Sequence, residues 1–256
     1  MDQPAERLNL GAAFSFPFSR QAWGDKAFVN LLLIAVCFLI PIVGPMVAIG
    51  YGVLVEKAMI QDPLGPAPPF DFSKFTDHLK RGIAPFVAGL LLLPLWIIVA
   101  AIVFLPLILI LANSHAEGIE IVAILVAGYL FTLLLMLIAG ILVWPIALRA
   151  MLEQKILAAF GLGFIFDFHR RVWLEEAKLA GAWILLMIPL ILFSCIPFLS
   201  YFLVAGLLLV SWHAHAQLYR LYVTRGGTPL SFTPITVDLA PAFPVQPSTP
   251  PFTAQG

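Results

Sequence analysis

The 30 residues Ile83–Ala112 contain no Lys, Arg, Asp or Glu, and no other feature constrains the fold of this chain as much. Crossing the hydrocarbon core of a bilayer takes about 20 apolar residues of helix. Three further apolar blocks, Phe28–Val55, Ile119–Ala147 and Leu179–Trp212, accompany it. Apolar residues make up 61% and charged residues 11% of the 256, where soluble domains run at roughly 45–50% and about 25%. A soluble fold of this size could not bury so much apolar surface and still clothe its exterior in polar groups. The sequence therefore predicts an all-α integral membrane protein.

Blocks Ile83–Ala112 and Ile119–Ala147 each suit one span, with kinks expected at Pro94 and Pro106. The short link Asn113–Glu120 turns the chain between them, so 83–147 reads as a hairpin. Blocks 28–55 and 179–212 are each long enough to fold back on themselves. Pro41, Gly44 and Pro45 interrupt the first, and Pro189, Pro197 and Ser200 the last. Charge supports this division. With both blocks folded back, all 14 Lys and Arg lie on one side of the membrane. If each block crossed once, the same residues would split five against nine. Cytoplasmic loops carry the excess of Lys and Arg, so about six membrane helices in three hairpins are expected, with both termini cytoplasmic. The first arm, Phe28–Ile40, has 13 residues and rises about 20 Å, which leaves a re-entrant first hairpin as the alternative.

Residues 1–27 carry charges before any apolar stretch, unlike a cleaved export signal, and read as a cytoplasmic interfacial segment. Residues 28–225 form the polytopic domain. Residues 226–256, rich in Pro, Thr and Ser with Asp238 their only charge, read as a disordered cytoplasmic tail. Asp62–Pro69 is a proline-rich irregular connector, and Leu148–Ala159 continues the third block as a polar helix with Arg149 and Glu153 spaced for an ion pair.

An internal recurrence adds detail. Phe14, Phe16, Phe18, Arg20 and Trp23 are matched at an offset of 150 by Phe164, Phe166, Phe168, Arg170 and Trp173, with Arg171 beside them. Ile40-Pro41 with Gly50 is echoed by Ile196-Pro197 with Gly206. Units 14–60 and 164–222 thus read as a parallel repeat, each an aromatic–basic lead-in followed by a hairpin. A weaker echo, Phe70-Asp-Phe72 with Lys74, Phe75 and Arg81, precedes the middle hairpin. These eleven aromatic and basic residues suit the headgroup region, where rings anchor and Arg reaches lipid phosphate. The sharper alternative is a lipid or partner groove between two related halves.

Chemistry is thinly represented. Glu56, beside Lys57, stands where the first hairpin leaves the membrane, and a solvated pair is expected there. His213 and His215, two apart, point to different helix faces, whereas His213 and Gln217 share one. His115, Glu117 and Glu120 cluster in an outer loop, and Asn30 and Asn113 are isolated polar groups near helix ends. Cys37 and Cys195 lie in apolar runs and fit neither a disulfide framework nor a zinc pattern. Phosphate-loop, zinc-protease and nucleophile-elbow motifs are missing from the sequence. No catalytic residue, metal or cofactor is assigned. A formal net charge of zero gives no field for nucleic acid, so the expected partners are membrane lipids and other membrane proteins.

The order Phe14-x-Phe16…Trp23, Ile40-Pro41-Ile42-Val43-Gly44, Gly50-Tyr51-Gly52, Pro68-Pro69-Phe70-Asp71 and Arg81-Gly82 resembles the prokaryotic membrane family called domain of unknown function 4013, over roughly Ala12 to Val223. The resemblance implies a topology and a bacterial or archaeal plasma membrane, and no mechanism. Three functions are weighed: a non-catalytic protein that organises membrane or serves a membrane complex, a small-solute or lipid transporter, and a lipid-acting enzyme built on His213, His215 or Glu56.

Overall fold

The computed structural model describes residues 7–113, 118–193 and 196–235. All regular elements among them are helical. The chain opens with two short helices, α1 (Leu10–Ser15) and α2 (Arg20–Trp23), separated by a 3-10 turn at Phe16–Phe18. Asn9 caps α1 by accepting from the Ala12 N–H at 2.9 Å, and Ser19 caps α2 through Ala22. Pro17 sits at the start of the 3-10 turn, where its missing N–H prevents one continuous helix.

Helices α3 (Ala27–Cys37) and α4 (Val43–Gln61) form the first hairpin. The Val43 N–H donates to the Pro41 carbonyl at 2.7 Å, and Ile42 between them has φ 65° and ψ −60°. This is a γ-turn of the rare positive-φ kind. Gly44 lies against the Cys37 carbonyl with no room for a Cβ. The 11 residues of α3 rise about 16 Å, about half of the hydrocarbon thickness.

An irregular stretch leads to α5 (Phe75–Leu91), which runs almost directly into α6 (Leu93–Asn113). The break at Leu92 falls two residues before Pro94, whose ring disfavours helical backbone just ahead of it. Helix α6 pairs with α7 (Ile119–Glu153) as the middle hairpin. Gln154 in the left-handed conformation then stops α7, and a single turn, α8 (Ile156–Ala159), precedes the last pair, α9 (Leu162–Phe193) and α10 (Pro197–Thr224). The last break therefore falls just before Pro197, and position 189 lies within α9. Arg149 and Glu153 form the expected ion pair at 3.1 Å.

Helix α4 is the hub, packing on α3, α5 and α10. Val47, Ala48, Tyr51 and Val55 are buried completely among Leu31, Ile34, Leu209 and Trp212. Helices α4 and α5 touch backbone to backbone: a Cβ on Gly50 would strike the His78 carbonyl, and one on Gly82 would strike the Met46 carbonyl. Helix α6 is the opposite case, with Ile97, Ile98, Ile102, Leu105 and Ile108 all more than half exposed. Contiguous apolar surface of that kind is rare on a soluble monomer.

Among the described residues, three helical stretches are long and apolar enough to cross a membrane: Val43–Gln61, Phe72–Pro106 and Phe198–Thr224. Of the tail, residues 227–235 lie against the helices: the Leu230 N–H donates to the Tyr219 hydroxyl at 2.7 Å, and Gly227 and Thr228 are held by Tyr222. The expected features at His115, Glu117, Cys195 and 236–256 lie outside the described residues.

Candidate functional site

The proline-rich connector builds one wall of the main site. Pro63, Pro66, Pro68 and Pro69 keep it out of helix, and side chains from the helical body clamp it. The Tyr51 hydroxyl donates to the Pro68 carbonyl at 2.8 Å, and Asn30 accepts from the Phe70 N–H at 2.9 Å. Asn30 is thus a buried connector clamp. Asp71 then caps the turn into α5, accepting from the Ser73 N–H at 2.9 Å. Hydrogen bonding from Ser73, helped by Lys74 nearby, holds the Asp71 carboxyl below the usual carboxylate range.

Lys74, His78 and Arg81 follow at i, i+4 and i+7 and share one helix face. That face looks across a cavity of about 580 Å³ towards Lys57 near the end of α4. Gln154 at the end of α7, and Thr233–Ile235 of the tail, complete the enclosure. His78 is 1% exposed, wedged between Tyr51 and Phe70 with ring centroids at 5.7 and 5.3 Å. Neither of its ring nitrogens has a hydrogen-bond partner in range, although the Asp71 backbone is within electrostatic reach. Lys57 is 7% exposed and makes no ion pair among the described residues; its ammonium sits 5.7 Å from the Phe232 ring centroid. Three cations thus face one carboxylate, which is already engaged by Ser73.

Glu56 and Lys57 correct the expectation of a solvated pair. Both are buried, no ion pair joins them, and Glu56 does not line this cavity. Both Glu56 carboxylate oxygens lack partners among the described residues. His213 accompanies Gln217, with Nε2 of Gln217 2.9 Å from Nδ1 of the histidine, and stacks on Phe16 at 4.6 Å. It lines a separate cavity of about 170 Å³. His215 is buried beside Trp144, its centroid 6.3 Å away. Among the described residues no group of three or more His, Cys, Asp or Glu could hold a metal.

The paired aromatic–basic segments take different paths and environments. Phe16 and Trp23 are buried, and the Trp23 indole donates to the Phe16 carbonyl at 2.7 Å. Their counterparts Phe166 and Trp173 are 69% and 63% exposed. Phe18 is exposed at 66% where Phe168 is buried at 1%, while Phe14 and Phe164 are both half-buried. The first segment bends at Pro17, whereas the second is continuous helix, so the same register presents opposite faces. Arg20 and Arg170 are exposed, and Arg171 pairs with Asp167 at 2.9 Å. The Tyr222 hydroxyl also donates to Asp167 at 2.9 Å, and chiefly this bond, with Arg171 adding, keeps the Asp167 carboxyl below its ordinary range.

The cation face of α5 was not predicted as a site, although its i, i+4, i+7 spacing and the Phe70-Asp-Phe72 echo were visible signals. No curated protein and no solved structure matches the chain. The profile of one family, described as protein of unknown function DUF4013, matches residues 33–210. That span covers the hub helix, the connector, the α5 cation face and the first half of α10, and the chain belongs to the DUF4013 family.

Proposed function

We propose that this chain is a polytopic protein of the prokaryotic plasma membrane that organises lipid or a partner membrane protein without catalysing a reaction. The observation that carries the reading is the contrast between α6, whose apolar side chains point outward, and the cation cluster at the junction of α4 and α5. A protein solvated by hydrocarbon at mid-depth and by headgroups at its ends needs that division. The short α3 favours a shallow first hairpin beside two deeper ones, with both termini and segments 56–82 and 148–178 on the cytoplasmic side. Exposed Phe18, Phe166 and Trp173, with Arg20 and Arg170, serve as interfacial anchors. The proposal does not require the internal repeat, because the paired aromatics differ in burial.

Cysteine accessibility tests the topology. With Cys37 and Cys195 replaced by alanine, single cysteines at positions 74 and 170 should resist a membrane-impermeant maleimide in intact cells. They should react once the cells are opened. Efficient labelling from outside at either position overturns the arrangement.

A further inference from the structure

We infer that the cleft between α4, the connector and α5 is a binding site for a phosphate-bearing anion. Lys57 makes no ion pair among the described residues, the ring nitrogens of buried His78 have no hydrogen-bond partner in range there, and both side chains line the same cavity. Gathering like charges in a partly desolvated cleft is costly, and an arriving anion offsets that cost. Arg81, half-buried on α5, lies within electrostatic reach of both, and Lys74 adds an exposed cation. Asp71, the acidic residue on the lining, is spent on capping through Ser73 and leaves an excess of two positive charges (three cations less one carboxylate).

That excess matches a phosphate group better than a carboxylate. Lys57 and Lys74 offer three N–H donors each and Arg81 five, which suits an acceptor with three or four oxygens. Ligand sites commonly enclose about 300–1,000 Å³, and the cleft's volume of about 580 Å³ is ample for phosphate with a small attached group. The same chemistry is presented by an anionic lipid headgroup and by a free phosphate. The cleft itself stands whether or not the proposed topology does; only the lipid source rests on the membrane reading.

The test uses the full chain in nanodiscs of phosphatidylcholine, titrated with inorganic phosphate by calorimetry, and in parallel with added phosphatidylglycerol, read by native mass spectrometry. Lys57→Gln and Arg81→Gln are compared with Lys80→Gln, an exposed cation on the same helix as Arg81 that does not line the cleft. Loss of a charge-assisted hydrogen bond should weaken binding about tenfold or more in each cleft variant, with Lys80→Gln unchanged. Phosphate binding that follows this pattern identifies a soluble ligand. Phosphatidylglycerol retention that follows it, without phosphate binding, identifies a headgroup. Failure of both ligands to bind, or equal weakening by Lys80→Gln, overturns the site. If Lys57→Gln does not fold, Arg81→Gln and Lys74→Gln carry the comparison from less buried positions.

Discussion

Replacing Gly50 with alanine should separate two effects that usually travel together. Both Gly50 and Gly89 lie inside helices, on α4 and α5. Substituting alanine for a helical glycine normally gains about 1 kcal/mol through propensity. At Gly89 a Cβ meets nothing within 4 Å, so Gly89→Ala should show that gain. At Gly50 the added atom would strike the His78 carbonyl and come within 2.8 Å of the Gly82 nitrogen. Those are backbone atoms, which cannot rotate aside, so the helices must part by about an ångström or more. Overpacking of this kind costs about 1–3 kcal/mol, occasionally more, and backbone against backbone belongs at the upper end. After the propensity gain, Gly50→Ala should lose about 2 kcal/mol, which corresponds to a fall in Tm of about 4–8 °C for a chain of this size. Gly82→Ala presses on the same crossing from the other side, through the Met46 carbonyl. Once one substitution has spread the helices the second meets less resistance, so the double variant should lose less than the sum. Tryptophan fluorescence on heating in detergent at one fixed scan rate would follow the wild type and all four variants. Gly50→Ala moving in the same direction as Gly89→Ala would refute the close crossing.

Two further outcomes follow from the backbone and from charge. Ile42 holds a β-branched side chain at φ 65°, a conformation that costs of order 1–3 kcal/mol; Ile42→Gly should raise the thermal midpoint, and a lowered midpoint would show that this turn stores no such strain. The Asp167 carboxyl is depressed by Tyr222 first and Arg171 second, so its contribution is present above the usual carboxylate range and is lost as pH falls through the depressed value. Proteolysis of the segment from residue 226 onward should therefore accelerate on acidification, and Asp167→Asn should be fast at every pH; a wild-type rate independent of pH would exclude the link.

Local relations were legible in the sequence, and long-range ones were not. The membrane-length runs, the turn near Pro41, the Arg149–Glu153 pair and the His213–Gln217 contact each depend on neighbours within one or two helical turns. The cleft joins Lys57, His78, Gln154 and Thr233 from four separate segments, and no periodicity reveals such a meeting. The sequence register also equated Trp23 with Trp173. Pro17 breaks one backbone where the other stays helical, and only the folded path shows which ring faces inward. The tail's lack of periodicity concealed a different way of docking: Tyr219 and Tyr222 capture it by its backbone, which needs no pattern in the tail itself.

The hub position of α4 has a consequence for how the chain is made. The notch at Gly52 that takes the Trp212 ring emerges from the ribosome long before α10 does. Until α10 has been synthesised, α4 presents that open notch to lipid or to the insertion machinery. A nascent chain arrested before Trp212 therefore displays an unfinished surface.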